Sequence, residues 1–540
     1  MLTATQDWVH LFDGEGAPEV MRALPGILQT RRWFGGKARR IEEVRILDVV
    51  PIPSDSTSVF LLIRVEYGDA GMETYALPVT AAFGEEAERI RIESSGAVIA
   101  PLVLQRDGRE QAGLLYDALW NRALTLTLLN AIGQESHFKG ISGHIIASPT
   151  TVFTDLVPTR VQLDPVVMSG EQSNTSVVYN GHVILKLYRR LEPGTNPDLE
   201  IGRVLTRMRF SYVPSIAGAL EYQHNSGSLV TLGVLQQFVA NDGDAWRYSL
   251  ASFQQFFDRI VREGLLDEPP AANNALLDLA REQYSPLARH LSGEYLESAE
   301  RLGQRTAQLH QALSQMVDDP VFAPEPFGAE YRQSQFESMM RGLESAFTLL
   351  KDRLDQLSLS GQASARLLLD LRPAIERMFD AFENMKTSVP LIRCHGDYHL
   401  GQVLCTEADF IITDFEGEPA RSLAERRKKH PALVDIAGMV RSFHYVPFAS
   451  LKDQGGGHSR WASFWSDWAS AAFLKGYLAT ATGAGFWPRN PEDVRLLLDI
   501  YQVEKALYEL RYELNNRPDW VEIPLYGLME ILKRREKEKM

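Results

Sequence analysis

Two cysteines in 540 residues, Cys394 and Cys405, exclude a disulfide framework and a multi-thiolate metal knot. Both read as small buried residues. Long apolar runs are equally scarce: none approaches the roughly 18 residues that a membrane span takes. The opening MLTATQDWVH lacks the basic start and apolar centre of a secretory signal. A cytoplasmic protein with no membrane partner is expected. Basic charge is in the minority, 56 Lys and Arg against 70 Asp and Glu for a net −14, which argues against general affinity for nucleic acid and for a small-molecule partner. No internal repeat recurs, and the closing KRREKEKM reads as a solvated helix end.

What is present is length and two textures. A chain of 540 residues exceeds one ordinary core, so two or three domains are expected. Residues 1–115 alternate short apolar strands with turns around a dense patch, QTRRWFGGKARR, and read as a small α/β unit. The polar QRDGREQ near Gln105 reads as a linker into a second unit over 116–240, which opens with LYDALWNRALTLTLLNAI at helical spacing and from about Ser142 turns to strands with one helix around NPDLEIGRVLTRMR. From Asn241 to the end, Leu, Phe and Ala recur at helical spacing. The expected fold is α+β and bilobal, protein-kinase-like, with an N-terminal cap subdomain, a strand-rich N-lobe and a mainly helical C-lobe.

The chemistry concentrates in LIRCHGDYHLGQVLCTEADFIITDFEGEP, Leu391 to Pro419. Phosphoryl transfer from ATP needs one carboxylate to orient and deprotonate the attacking hydroxyl and another to hold the metal against the phosphates. Asp397 in HGD and Asp414 in DFE, 17 residues apart (414 minus 397), suit those two roles. In protein kinases an amide follows the catalytic Asp by five residues and ligates magnesium; here 397 plus five is Gln402, an amide on a longer stem. The intervening TEAD predicts a hairpin turn that brings Asp397, Gln402 and Asp414 to one edge. Asp397 is thus the expected catalytic residue, with Gln402 and Asp414 as metal ligands. Glu416 reaches either a second magnesium or the loop.

The remaining kinase parts should lie upstream. HVILKLYRR places Lys186 on a strand, and 14 residues later (200 minus 186) NPDLE places Glu200 at a helix start, the lysine to neutralise phosphate and the glutamate to hold it. Ser169 and Gly170 in MSGEQSNTSVVYN suit a turn whose amides approach phosphate. Gln237 to Val239, in LQQFVAND, are the positions from which backbone groups would reach adenine. His395 either orients the catalytic loop or touches the acceptor. Asp435 reads as a structural bond to that loop, and ERRKKH as a solvated run or a nucleotide-steering patch.

HGDYHLGQ, IITDFEGEP and HPALVDIAGMVRS resemble the bacterial maltokinases, within the aminoglycoside phosphotransferase and eukaryotic-like kinase superfamily, and RRWFGGKARR is similar to the start of their N-terminal cap. The resemblance implies ATP- and Mg2+-dependent phosphorylation of maltose at its anomeric hydroxyl, giving maltose 1-phosphate for α-glucan synthesis from trehalose. It also implies a trehalose synthase as a fused or associated partner. One feature bears on a sugar site independently. On a helix through YQVEKALYELRYEL, Val503, Leu507, Leu510 and Leu514 fall on one side and Tyr501, Lys505, Tyr508 and Tyr512 on the other. Flat rings and a cation suit an oligosaccharide cleft, and Lys505, Tyr508 and Tyr512 match the acceptor residues the resemblance implies. Rival readings keep the kinase with another acceptor, glucosamine, an aminoglycoside or choline, or make the chain a noncatalytic nucleotide- or sugar-sensing module.

Overall fold

The computed structural model describes residues 2–53, 57–158, 161–168, 173–265, 268–270, 275–387, 389–407, 409–451 and 459–538. Ser169 and Gly170, expected in a phosphate-approaching turn, lie outside the described residues. The chain divides into two compact units, Met1–Ala240 and Asn241–Met540.

The first unit holds two seven-stranded sheets. One is built from β1 (Leu2–Thr5), β2 (Ile41–Ile52), β3 (Ser58–Tyr67), β4 (Met72–Phe83), β5 (Val98–Arg106) and β6 (Arg109–Asp117), in the order β1-β5-β6-β4-β3-β2, with a short seventh strand, Arg190–Leu191, off this path on β4. Only β1 and β5 are parallel within it. QRDGREQ is not a linker: Arg106 pairs with Arg109, and Asp107 and Gly108, at φ 52° and 73°, make the tight turn between β5 and β6. Asp-Gly with two positive φ values matches the right-handed strand twist, and it is a hairpin signal that polarity alone conceals. The expected boundary at 115/116 therefore falls within β6.

The second sheet contains β7 (His137–Lys139), β8 (Gly143–Pro149), β9 (Pro165–Val167), β10 (Asn174–Tyr179), β11 (Val183–Tyr188), β13 (Ile216–His224) and β14 (Leu229–Gln237), in the order β7-β8-β13-β14-β11-β10-β9. The short β12 (Arg190–Leu191) pairs instead with β4 and ties the chain to the first sheet. A buried carboxylate adds a second tie: Asp48 of β2 accepts the Tyr222 hydroxyl of β13 at 2.7 Å and the Ile141 amide at 2.7 Å. In RRWFGGKARR, Trp33 and Phe34 are buried against Tyr75, and Arg39 lies over the Tyr67 ring.

The second unit is mainly helical. Helices Tyr295–Ser314 and Ser459–Ala481 pack closely enough that a side chain at Gly303 would strike the Phe473 carbonyl and one at Gly476 the Glu300 carbonyl. Helix Leu433–Leu451 is buried along most of its length, Leu433, Ile436, Ala437, Met439 and Phe443 included, and helix Pro491–Asn516 packs on it. The expected apolar stripe of the latter holds: Val503, Leu507, Leu510 and Leu514 are all buried. Among the described residues no helix is long and apolar enough to cross a membrane. Cys394 is buried and Cys405 only half-buried, both free.

Candidate active site

The segment expected to carry the chemistry folds as a loop and a hairpin. Val403–Cys405 pairs antiparallel with Phe410–Ile412, and one step beyond the ladder Thr413 donates its amide to the Gln402 carbonyl at 2.9 Å. Gln402 is therefore opposite the residue that precedes Asp414, as the TEAD turn predicts. Asp414 itself sits at φ 69°. A left-handed conformation outside glycine is uncommon and collects at functional sites, with Asp and Asn the residues that tolerate it best.

The HGD loop is pinned to this hairpin from one side and to helix Leu433–Leu451 from the other. His395 Nε2 donates to the Thr413 carbonyl at 2.9 Å, and His395 Nδ1 faces the Asp397 amide at 3.4 Å. Both ring nitrogens are engaged and the residue is 2 % exposed. His395 is thus bonded within the loop and to the hairpin, so neither ring nitrogen is left over for the expected acceptor contact. Asp435, 1 % exposed, accepts the His395 amide at 2.7 Å, the Gly396 amide at 2.9 Å and His310 Nε2 at 3.0 Å. Burial works against that carboxylate, yet those bonds hold it below the usual range.

Asp397 is half-buried. Lys505 of helix Pro491–Asn516 donates to its Oδ1 at 3.0 Å, and His399 Nε2 stands 3.9 Å from its Oδ2. Burial alone would raise the Asp397 pKa, but Lys505 and His399 outweigh it and hold the carboxyl below its ordinary value. Burial likewise opposes the Lys505 ammonium, and Asp397 and Glu418 overcome it and raise its pKa. Burial, with Lys505 assisting, keeps the His399 imidazole below its ordinary value against the pull of Asp397.

Lys505 also lies 4.9 Å from the Tyr508 ring centroid, and Tyr508 stacks with Tyr512, centroids 6.5 Å apart at 29°. The stripe emerges gradually: Tyr512 is 45 % exposed, whereas Tyr501 is buried against Tyr331 and Phe382 and leaves the expected polar face. Two cavities meet at this point. One of about 740 Å³ is lined by Trp246, Tyr445, Tyr508, Tyr512 and Trp520. Another of about 500 Å³ is lined by Glu418, Arg421, Glu504 and Arg511. Asp397 and Lys505 border both. Sequence reasoning placed Lys505 near the acceptor but not on Asp397 itself, and it did not find Trp246 or Trp520; neither has a sequence neighbour that marks it.

In the first unit, Lys186 is on β11 and Glu200 in the first turns of helix Pro197–Arg207, as expected. Asp198, two residues ahead of Glu200, stands 3.5 Å from Lys186 Nζ and also accepts the Tyr188 hydroxyl at 2.9 Å. That carboxylate was missed because the protein-kinase template looks for a glutamate. Gln237 ends β14 with its amide donated to the Ser215 carbonyl, and Phe238 donates to His182, so neither amide is on offer to a nucleotide base. Val239 follows them, half-buried. The ERRKKH run is not simply solvated: Lys429 is buried, donating to the Pro320 carbonyl at 3.1 Å and pairing with Glu325 at 2.6 Å.

Residues 28–120 match the maltokinase N-terminal cap domain. Over the whole chain, the solved structure of a glucosamine kinase in complex with glucosamine, ADP and inorganic phosphate superposes with a TM-score of 0.60, covering 97 % of this chain and 99 % of that one. The chain carries a maltokinase-type cap segment and has the fold of this glucosamine kinase. A second glucosamine kinase crystal form gives a TM-score of 0.61 over 98 % of this chain and 100 % of that one. Both are 17 % identical to it, so they bear on the fold alone. Among curated sequences, the glucosamine kinase of Mycolicibacterium smegmatis (strain ATCC 700084 / mc(2)155) is 23 % identical over 370 residues, 67 % of this chain and 78 % of the relative. That of Streptacidiphilus jiangxiensis is 23 % identical over 376 residues, 68 % and 73 % of the two chains. The matched cap segment covers β2 to β6 and the RRWFGGKARR patch.

Proposed function

We propose that this protein is a sugar kinase that transfers the γ-phosphoryl group of ATP, with Mg2+, to the anomeric hydroxyl of maltose, giving maltose 1-phosphate and ADP. The observation that carries the reading is the position of Lys505. One ammonium bonds the carboxylate of Asp397 and borders a cavity walled by aromatic rings, which is where a sugar hydroxyl must be held against its base. Asp397 accepts the hydroxyl proton as the oxygen bonds to phosphorus and the bond to ADP breaks. Lys505, Tyr508 and Tyr512 hold the sugar.

Gln402 and Asp414 offer hard oxygen donors at the open end of one hairpin, the donor chemistry that magnesium takes. The metal, when bound, neutralises charge on the phosphates. Lys186 binds phosphate, with Glu200 and Asp198 on the adjoining helix to hold it; Ser169 and Gly170 contact phosphate, and Val239 belongs to the base-binding segment. The product enters α-glucan synthesis in the cytoplasm, with trehalose synthase as a fused or associated partner.

Glucosamine is the rival acceptor. The two curated relatives described above are glucosamine kinases, and Glu418 and Glu504 line the smaller cavity, where carboxylates suit an amine. The deciding experiment is ADP release from Mg-ATP with maltose, glucose, glucosamine and kanamycin in parallel, together with a reducing-end assay and the Asp397→Asn protein. Maltose-dependent ADP with loss of the reducing end is expected. Turnover confined to glucosamine would replace the acceptor, and full activity in Asp397→Asn would remove the base assignment.

A further inference from the structure

Beside the proposed base stands a residue to which that mechanism gives no work. His399 opens the short 3-10 turn Leu400–Gln402, and its Nδ1 accepts the Gly401 amide at 3.1 Å. An acceptor at Nδ1 places the hydrogen of the neutral ring on Nε2. The ring lies directly over residue 401: a Cβ there would come within 3.0 Å of both Nδ1 and Cε1, so glycine leaves the imidazole its seat. Nε2 then faces Asp397 Oδ2 at 3.9 Å, too far for a direct hydrogen bond. The other carboxylate oxygen is already taken by Lys505 at 3.0 Å. His399 and Asp397 are 39 % and 17 % exposed at their side chains, and both line the aromatic-walled cavity.

A gap of 3.9 Å between a donor and an acceptor is the span that one hydroxyl oxygen bridges. An oxygen about 2.7 Å from Oδ2 and about 2.9 Å from Nε2 closes a triangle on that base with an angle of roughly 90° at the oxygen. It can therefore donate its proton to Asp397 while accepting from His399.

We propose that His399 is an acceptor-contacting residue whose Nε2–H holds the oxygen of the reacting hydroxyl, so that its proton points at Asp397 Oδ2. The inference rests on Asp397 being the base, as proposed above. His399 neither gains nor loses a proton in the step; the bonds made and broken are those already assigned. Two donors thus divide the work, Lys505 fixing Oδ1 of the base and His399 fixing the nucleophile before it.

Two substitutions separate this role from the cap. His399→Asn keeps a side-chain oxygen near Nδ1 to accept the Gly401 amide and removes the Nε2–H, while His399→Gln keeps a donor near Nε2 and loses the cap. Steady-state kinetics would be measured with Mg-ATP and with whichever of maltose, glucose and glucosamine the wild-type full chain phosphorylates, and melting temperature with them. The expected result is a fall of about 10- to 100-fold in kcat/KM for the acceptor in His399→Asn, the scale of one hydrogen bond in a charged setting, with KM for Mg-ATP and Tm unchanged. His399→Gln should retain most acceptor kcat/KM. Wild-type kinetics in His399→Asn, or equal losses in both variants accompanied by a lower Tm, would overturn the assignment and leave only a cap. Asp397→Asn runs alongside: full turnover there, or no turnover by the wild type with any of the three sugars, removes the base and this inference together, whereas a dead Asp397→Asn beside a normal His399→Asn removes this inference alone.

Discussion

Lys505 Nζ lies 3.0 Å from Asp397 Oδ1, on a helix that meets the HGD loop 108 positions (505 minus 397) away in sequence. Removing the ammonium leaves burial as the main influence on Asp397, and burial raises a carboxyl pKa. Lys505→Met is therefore expected to move the acid limb of the pH profile of kcat/KM to higher pH, and to lower the plateau on the order of 100-fold. An unmoved acid limb in that variant would show that Lys505 does not set the ionisation of the base.

The backbone at Asp414, φ 69°, allows its side chain and its conformation to be tested apart. Asparagine tolerates the left-handed region, whereas alanine pays about 1–2 kcal/mol there. Asp414→Asn should melt like the wild type but lose the thermal shift that Mg-ATP gives it. Asp414→Ala should lose that shift and melt lower even without nucleotide. Retention of the shift in Asp414→Asn would exclude the carboxylate as a metal ligand.

Asp435 ties the HGD loop to helix Leu433–Leu451 through the His395 and Gly396 amides. Its replacement by alanine strips acceptors from the buried His395 amide, the part-buried Gly396 amide and His310, at about 1–3 kcal/mol for each buried group left unpaired. Urea unfolding of Asp435→Ala should show a loss of at least about 2 kcal/mol. Stability within about 0.5 kcal/mol of the wild type would mean that other groups satisfy those amides.

Stability should also fall in acid through buried histidines. Burial, then Arg421, lowers the His430 pKa to about 3, and burial with Arg441 lowers that of His444 to about 4. The unfolded chain protonates near pH 6.5 while the folded one does not, so it binds more protons, and stability is lost as pH falls from about 6.5 towards 3 or 4. Asp467, raised by burial to about 6, works the other way, contributing stability below about pH 4 that is lost as pH rises through 6. His430→Gln should therefore flatten the slope of unfolding free energy between pH 6 and 4 by about 1.4 kcal/mol per unit relative to wild type. Equal slopes for the two proteins would mean that His430 protonates in the folded state as readily as in the unfolded one.

Much of the local architecture was legible because it rests on periodicity and turn chemistry. Lys186 on a strand, the hairpin behind Asp414 and the buried stripe Val503, Leu507, Leu510 and Leu514 follow from alternation, a polar turn and helical spacing. QRDGREQ was misread for a local reason: its polarity suggested a linker, although Asp107-Gly108 has the φ values of a hairpin turn. Tyr501 was misread for a nonlocal one. Its position on the helix matches Tyr508, but Tyr331 and Phe382 cover it, and no pattern within helix Pro491–Asn516 announces what lies opposite each turn.

The sequence by itself determined which residue types the chemistry has to work with: two aspartates and an amide in one segment, and a lysine and tyrosines at helical spacing in another. Those are properties of near neighbours along the chain, where covalent geometry fixes distance. Only the tertiary structure decided that Lys505 grips Asp397, that His395 turns inward, that Asp198 stands beside Lys186 and that His399 leaves a gap one hydroxyl wide. Within the second unit, residues about a hundred positions apart are brought within hydrogen-bonding distance by packing of the apolar helix faces. The direction of each polar side chain there is set by which neighbour satisfies it, and that neighbour comes from another part of the chain.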